Sequence, residues 1–206
     1  MVRCLRVLDL FAGTQSITKA FQSAGHSVDS LDLDQRHGPT FYVNILEWEY
    51  KAITTDYDVI WASCPCENYS IARSTAARDL TLADSLVRRT LEIIDWFRPK
   101  HWFIENPTGS LLWMRFQFEK KVLTSYSNFV FPCRKNTTIA HGGQGATELV
   151  LPTCGGPGVC RQMVGKRHKE YAQKGGGGSE SRYKSTDELH RIPEGLCMAI
   201  VRLCEA

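Results

Sequence analysis

Short apolar runs of about five residues, each closed by glycine or by a chemistry-bearing polar residue, alternate along this chain with stretches of helical period. Leu5 to Leu10 is the first such run. It ends in Phe11-Ala12-Gly13-Thr14, after which Ile17, Ala20, Phe21 and Ala24 recur at helical spacing up to Gly25. Val28 to Leu33 reads as a second strand, with Asp32 and Asp34 at its end, and Phe41 to Ile45 as a third. Asp58 to Ala62 reads as a fourth, running into Ser63-Cys64-Pro65-Cys66. Leu80 to Phe97 sets Leu82, Leu86, Leu91, Ile94 and Phe97 near helical period, with Arg88, Arg89 and Glu92 on the polar side, and stops before Pro99. Trp102-Phe103-Ile104 is a further buried strand that delivers Glu105-Asn106-Pro107. Strands that alternate with helices form a parallel sheet covered on both faces, so the predicted class is α/β with a doubly wound, mostly parallel sheet.

In such sheets ligands bind at the carboxyl ends of the strands, which places Gly13, Asp32, Cys66 and Glu105 around one crevice. The turn Asp9 to Thr14 suits a nucleotide-like cofactor, because glycine lets backbone approach the ligand at a helix start. Asp32 could accept both ribose hydroxyl hydrogens; the alternative for Asp32 or Asp34 is a helix cap or a solvated charge. Pro65-Cys66 at a strand end suits a partly exposed nucleophilic thiol, although a lone cysteine more often serves as a small buried apolar residue.

Eight cysteines, Cys4, Cys64, Cys66, Cys133, Cys154, Cys160, Cys197 and Cys204, are not spaced like a secreted disulfide framework. No apolar stretch of about 18 residues exists, and the N-terminus is strand-like, so a soluble intracellular chain, nuclear or cytoplasmic, is expected. A formal charge of +3 permits a polyanionic partner without arguing for one. From about His141 to Tyr183 periodicity fails and glycine, cysteine and basic residues dominate. Within it, Gly175 to Ser179 is a flexible linker by composition, natural or introduced. Cys154, Cys160 and His168 suit a structural zinc site with Cys133 as fourth ligand; unligated thiols are the competing reading. The expected organisation is a catalytic domain over residues 1–140, a loop-rich insert over 141–190 and a returning helix over 191–206.

The strings LDLFAGTQSITKAFQSAGHSVDSLDLD, ASCPCENYS and FIENPTG resemble, in that order, the motifs D-L-F-A-G, P-C-Q-x-F-S and E-N-V of the cytosine-5 methyltransferase family. The resemblance covers roughly residues 5 to 110 and leans toward small phage and virus members. It implies a class I, Rossmann-like methyltransferase fold, S-adenosylmethionine as cofactor, and methyl transfer to carbon 5 of cytosine in DNA. By that resemblance Phe11, Ala12, Gly13, Thr14 and Pro65 line the cofactor, Asp32 binds its ribose and Leu33 packs on adenine. Asn44, followed by Ile45, stands where the family usually has an acidic residue at the adenine amino group. Cys66 matches the nucleophile and Glu105 the acid at the attacked ring; Glu67 replaces the family's glutamine. Phe131 to Thr137 resembles P-Y-R-K-x-T, which gives Arg134 and Lys135 a place near the flipped base. Ser70 and Arg73 follow the nucleophile at positions suited to a phosphate. Only a short insert stands where relatives carry a target-recognition domain, so Arg161, Lys166, Arg167 and Lys169 would supply a sequence-independent phosphate grip. A monomer is assumed. An RNA cytosine as substrate, or a noncatalytic nucleic-acid-binding relative, are the competing readings.

Overall fold

The computed structural model describes residues 3–71, 77–129, 131, 135–145, 148–168 and 186–206. In chain order the elements are β1 (Arg6–Leu10), α1 (Ser16–Ser23), β2 (Ser27–Asp32), β3 (Phe41–Tyr42), β4 (Val59–Ser63), α2 (Leu80–Phe97) and β5 (His101–Pro107). They continue with α3 (Leu112–Arg115), β6 (Lys121–Ser125), β7 (Asn136–Gly142), β8 (Met163–Val164), β9 (Arg167–His168), α4 (Thr186–His190) and α5 (Glu194–Glu205). Seven strands form one sheet in the order β3-β2-β1-β4-β5-β7-β6. The pairs from β3 through β5 are parallel, and β7 runs antiparallel to both β5 and β6. The mostly parallel, doubly wound sheet expected from the alternation is present.

The two-residue period of a strand sends successive side chains to opposite faces, and both faces are covered. Val7, Val59, Trp61 and Phe103 pack with Ile17 and Phe21 of α1 and with Leu196, Ile200 and Val201 of α5. Leu8, Leu10, Ile60, Ala62 and Ile104 pack on the other face with Val87, Ile93 and Ile94 of α2. Helix α2 begins on an Asp79 cap, whose carboxylate accepts from the Leu82 amide at 2.8 Å, and ends at Arg98, just ahead of Pro99.

Two departures from the sequence expectation have a clear local cause. The third strand stops at Tyr42 because Asn44 Oδ1 accepts from the Leu46 amide, and the Asn44 carbonyl from the Glu47 amide, a turn that diverts the chain before Ile45. At the other end, order continues past residue 141. Strand β7 runs to Gly142, and Gly143 then leaves the sheet at φ +123°, where an added Cβ would sit 2.3 Å from the Lys100 carbonyl oxygen. Leu149 and Leu151 return to the core on the α1 and α5 face.

The segment after Cys66 is tied down by an ionic cluster around the buried Asp84 carboxylate. Tyr69, fully buried, donates from its hydroxyl to Asp84 Oδ1 on α2 at 2.9 Å, while Arg115 on α3 grips both carboxylate oxygens at 2.8 and 2.5 Å. These hydrogen bonds, Arg115 foremost, hold the Asp84 carboxyl below its ordinary range against the opposing effect of burial. Tyr69→Phe should cost about 1–2 kcal/mol at pH 7 in chemical denaturation. Arg115→Met should be destabilising at pH 7 as well. Because the folded-state pKa of Asp84 is depressed, its contribution exists above the unfolded carboxyl's range and fades as pH falls through the folded value. The Arg115→Met deficit should therefore narrow below about pH 4; a deficit independent of pH would show that the pair is not the anchor.

Candidate active site

Parallel strands β1, β4 and β5 open at the same edge of the sheet, and a cleft of about 470 Å³ lies there, within the range of small-molecule sites. The expected cofactor residues Phe11, Ala12, Gly13, Thr14, Asp32, Leu33, Asn44, Ile45 and Pro65 all line it, as do Cys66, Glu105 and Lys135. The turn from β1 into α1 is left-handed at three positions, Phe11 (φ 58°), Gly13 (φ 47°) and Gln15 (φ 60°). Left-handed backbone at Phe11 and Gln15 is strained and is held by its surroundings. The Ala12 amide donates to the Leu31 carbonyl and the Gly13 amide to Asp32 Oδ2 at 2.7 Å. Asp9, buried beneath the turn, accepts from both the amide and the hydroxyl of Thr18 and so caps α1 from the strand below. Burial lifts the Asp9 carboxyl to about 7 despite these donors.

Asp32 also accepts from the Asp34 amide at 2.8 Å, so its carboxylate is fixed at the end of β2, pointing along the cleft wall. Leu33 stands two-thirds exposed at the lip, an apolar side chain with no core partner. Ile45 is buried, and its carbonyl accepts from Arg89 Nε of α2. Thr14 and Ser16 join through their hydroxyls at 3.1 Å, and Ser16 Oγ accepts from the Ile192 amide, which sews the start of α5 to the turn.

The register Ser63↔Glu105 sets the end of β4 beside the acid on β5. Asn106 Nδ2 donates to the Cys64 carbonyl at 2.7 Å, fixing the strand's exit toward Cys66. Glu105 is itself 7% exposed, and two hydroxyls converge on its Oε1: Thr137 of β7, and Tyr126 at 3.5 Å from the turn after β6. Lys135 Nζ lies 4.7 Å from the Tyr126 ring centroid, a cation–π distance. Cys66 is half-buried. Burial pushes its thiol above the ordinary range, the Glu105 carboxylate adds to this, and the Lys135 ammonium opposes it.

Ser70 is bridged to Ser110, with its carbonyl held by Arg78, and is not among the residues that line the cleft. Arg73, Arg134, Cys133, Lys169 and the linker Gly175 to Ser179 lie outside the described residues. Cys154, Cys160 and His168 do come together, their ligand atoms all within 4.8 Å of one another. Cys4 is exposed, although it opens an apolar run, whereas Cys197 and Cys204 are buried. No helix of the described residues is long and apolar enough to cross a membrane.

A profile of the C-5 cytosine-specific DNA methylase family matches residues 5–124. The chain belongs to that family. It is also 31% identical, over 97% of its own length and the whole length of the relative, to a protein named Probable DNA (cytosine-5)-methyltransferase from Frog virus 3 (isolate Goorha). Among solved structures it resembles a protein named putative DNA modification methyltransferase encoded within a prophage (E. coli), with TM-score 0.54 and 15% identity over 72% of this chain and 49% of the other. It resembles equally the Entamoeba histolytica methyltransferase EhMeth, TM-score 0.54, 15% identity over 73% and 56% of the two chains. This chain thus spans about half the length of those solved structures, and at that identity the likeness concerns the fold.

For a member of this family the sequence reading missed four contributors. Tyr126 and Thr137 reach Glu105 from elements that were not foreseen, and α4 sets Asp187 and His190 on the cleft wall. Asp187 faces Arg36 at 3.5 Å and His37 at 3.4 Å across the mouth. Only Thr137 carried a signal, as the threonine of the P-Y-R-K-x-T-like stretch.

Because the thiol is raised, its alkylation by iodoacetamide should accelerate with pH to a midpoint above that of an unstructured cysteine. Lys135→Ala, which removes the cation favouring the thiolate, should move that midpoint up further and slow alkylation near pH 7.5 by roughly three- to tenfold. Equal rates in the two proteins would remove Lys135 from control of the thiol.

Proposed function

We propose that this chain transfers a methyl group from S-adenosylmethionine to carbon 5 of cytosine in DNA through a transient covalent bond between Cys66 and the base. The observation that carries this reading is the convergence of a half-buried cysteine at the end of β4 and a buried, hydroxyl-held glutamate at the end of β5 on one cleft.

The residues fit the cofactor. The open left-handed turn at Gly13, the fixed carboxylate of Asp32 and the apolar lip formed by Leu33, Val43 and Ile45 suit a ribose flanked by an adenine. S-adenosylmethionine supplies an electrophilic methyl group on a sulfonium. Asp32 would accept the ribose hydroxyls, Leu33 and Ile45 would hold the adenine, and Phe11, Ala12, Thr14 and Pro65 would close around the rest. Asn44 offers an amide where an acid is usual, so it would meet the adenine edge without a charge.

Carbon 5 of cytosine is a weak nucleophile. The Cys66 thiol passes its proton through water to the Glu105 carboxylate, the Lys135 ammonium favouring the thiolate, and the thiolate adds to ring carbon 6. Electron density then moves toward carbon 5 and ring nitrogen 3. Glu105, with Oε1 held by Thr137 and Tyr126, presents Oε2 to that nitrogen and gives it a proton. Carbon 5, made nucleophilic in this way, would take up the methyl group that the sulfonium supplies, the donor leaving as a neutral thioether. Loss of the carbon 5 proton to a base or to water expels the Cys66 thiolate, and the nitrogen 3 proton returns to Glu105. The thiol cannot reach carbon 6 inside a duplex, so the base is extruded or the strand is single. Ser70, Arg73 and Arg134 are assigned to the flanking phosphates and the base. Arg161, Lys166 and Arg167, exposed on the 153–168 segment, give a phosphate grip with little sequence preference.

Transfer of labelled methyl to unmodified DNA tests the proposal. Label should appear at carbon 5 of cytosine, vanish with Cys66→Ser and fall about 10²–10⁴-fold with Glu105→Gln. Label accepted only by a folded RNA would replace DNA as the substrate, and transfer that survives Cys66→Ser would end the covalent mechanism.

A further inference from the structure

Residues 153–168 form ordered turns and a hairpin without a hydrophobic core. None of the sixteen is buried, although Leu149 and Leu151 just before them are. The segment is rooted where the Pro152 carbonyl accepts from Thr124 Oγ1 at 2.6 Å and from Asn128 Nδ2 at 3.0 Å. Beyond that point, two glycines in the left-handed region, Gly156 and Gly158, fold the chain so that the Val159 and Cys160 amides both reach the Gly156 carbonyl. A hairpin of two residues on each side follows, in register Met163↔His168, which returns His168 to within reach of Cys160. Apolar burial of this size cannot offset the entropy of ordering sixteen residues.

What the folding achieves is convergence of three side chains. His168 Nε2 lies 3.5 Å from Cys154 Sγ and also 3.5 Å from Cys160 Sγ. A ring nitrogen carries one proton or one lone pair, so as a hydrogen-bonding group it serves one thiol well, not two at equal distance. A nucleophilic Cys–His pair would likewise need a single sulfur on the ring. Three ligands around one cation have this arrangement by necessity. With Zn–S of about 2.3 Å and Zn–N of about 2.0 Å, a tetrahedral angle puts sulfur and nitrogen about 3.5 Å apart. Two soft thiolates and an imidazole select zinc over magnesium or calcium.

We propose that Cys154, Cys160 and His168 hold one zinc ion, and that this ion is the cross-link that orders residues 153–168 and so fixes the exposed Arg161, Lys166 and Arg167. Zinc here is structural and stands some way along the chain from the methyl-transfer residues, so the assignment does not depend on the reaction proposed above.

The full chain, purified without chelators or affinity metals, should contain about one zinc per molecule by mass spectrometry of the metal. Cobalt(II) in its place should give the intense visible bands of a tetrahedral thiolate site. Cys160→Ser and His168→Ala should lose the metal, whereas His168→Cys, which keeps a soft ligand, should retain it. Chelation should expose 153–168 to limited proteolysis while S-adenosylmethionine binding persists. Metal-free protein that takes up no cobalt, variants that keep full zinc, or a Cys154–Cys160 disulfide in the isolated reduced-buffer protein would each overturn the assignment.

Discussion

Parallel pairing of β1, β4 and β5 obliges every connection between them to cross a face of the sheet, so all three strands release chain at the same edge. From that constraint follow the strained turn after β1, the thiol after β4 and the acid on β5, which meet without any one of them being close to another in sequence. The antiparallel β7 then completes the site from the far side by bringing Thr137 to Glu105. The fold therefore does more than support the cleft. It sets the register, Ser63 beside Glu105, on which the pairing of the proposed nucleophile and acid depends.

The thiol's environment holds two demands in opposition. A nucleophile benefits from the thiolate, yet burial and the Glu105 carboxylate both favour the protonated form, and Lys135 answers them in part. A neutral thiol at rest is less prone to adventitious oxidation. Its loop is meanwhile fixed at both ends: Asn106 grips the Cys64 carbonyl, and Tyr69, three residues after Cys66, is locked to Asp84 and through it to Arg115. Rigid anchors on either side of the proposed nucleophile would leave its approach to a ring carbon well defined, the condition under which proximity contributes most.

The parallel half of this molecule was legible because β1, β4 and the first half of β5 are largely apolar and the strands lead into distinctive residues: Gly13, Asp32, Cys66, Glu105. The bounds of helix α2 were legible to the residue, since Pro99 closes it, whereas its buried face runs through Ala83, Val87, Thr90 and Ile94 and leaves Leu82 exposed. Strands β6 and β7 were not. Lys121 to Ser125 alternates only weakly at a sheet edge, and Asn136 to Gly142 is polar yet largely buried, so burial there is decided by partners distant in sequence. Tyr126 and Thr137 reach Glu105 across 21 and 32 positions, contacts that no local pattern encodes. The Cys154, Cys160 and His168 grouping was visible as a set of residue types, whereas its convergence on one point is a property of the turns at Gly156 and Gly158.

The central claim is that Cys66 bonds to carbon 6 of a cytosine, and a mechanism-based trap tests it most directly. DNA carrying 5-fluorocytosine, incubated with the protein and S-adenosylmethionine, has no carbon 5 proton to lose after methylation, so the adduct cannot collapse. The account predicts a complex that survives denaturation, requires S-adenosylmethionine, and maps by peptide mass to Cys66. A stable complex mapped to Cys64 or another thiol, or methyl transfer to ordinary cytosine with no trapped complex on the fluorinated base, would contradict it.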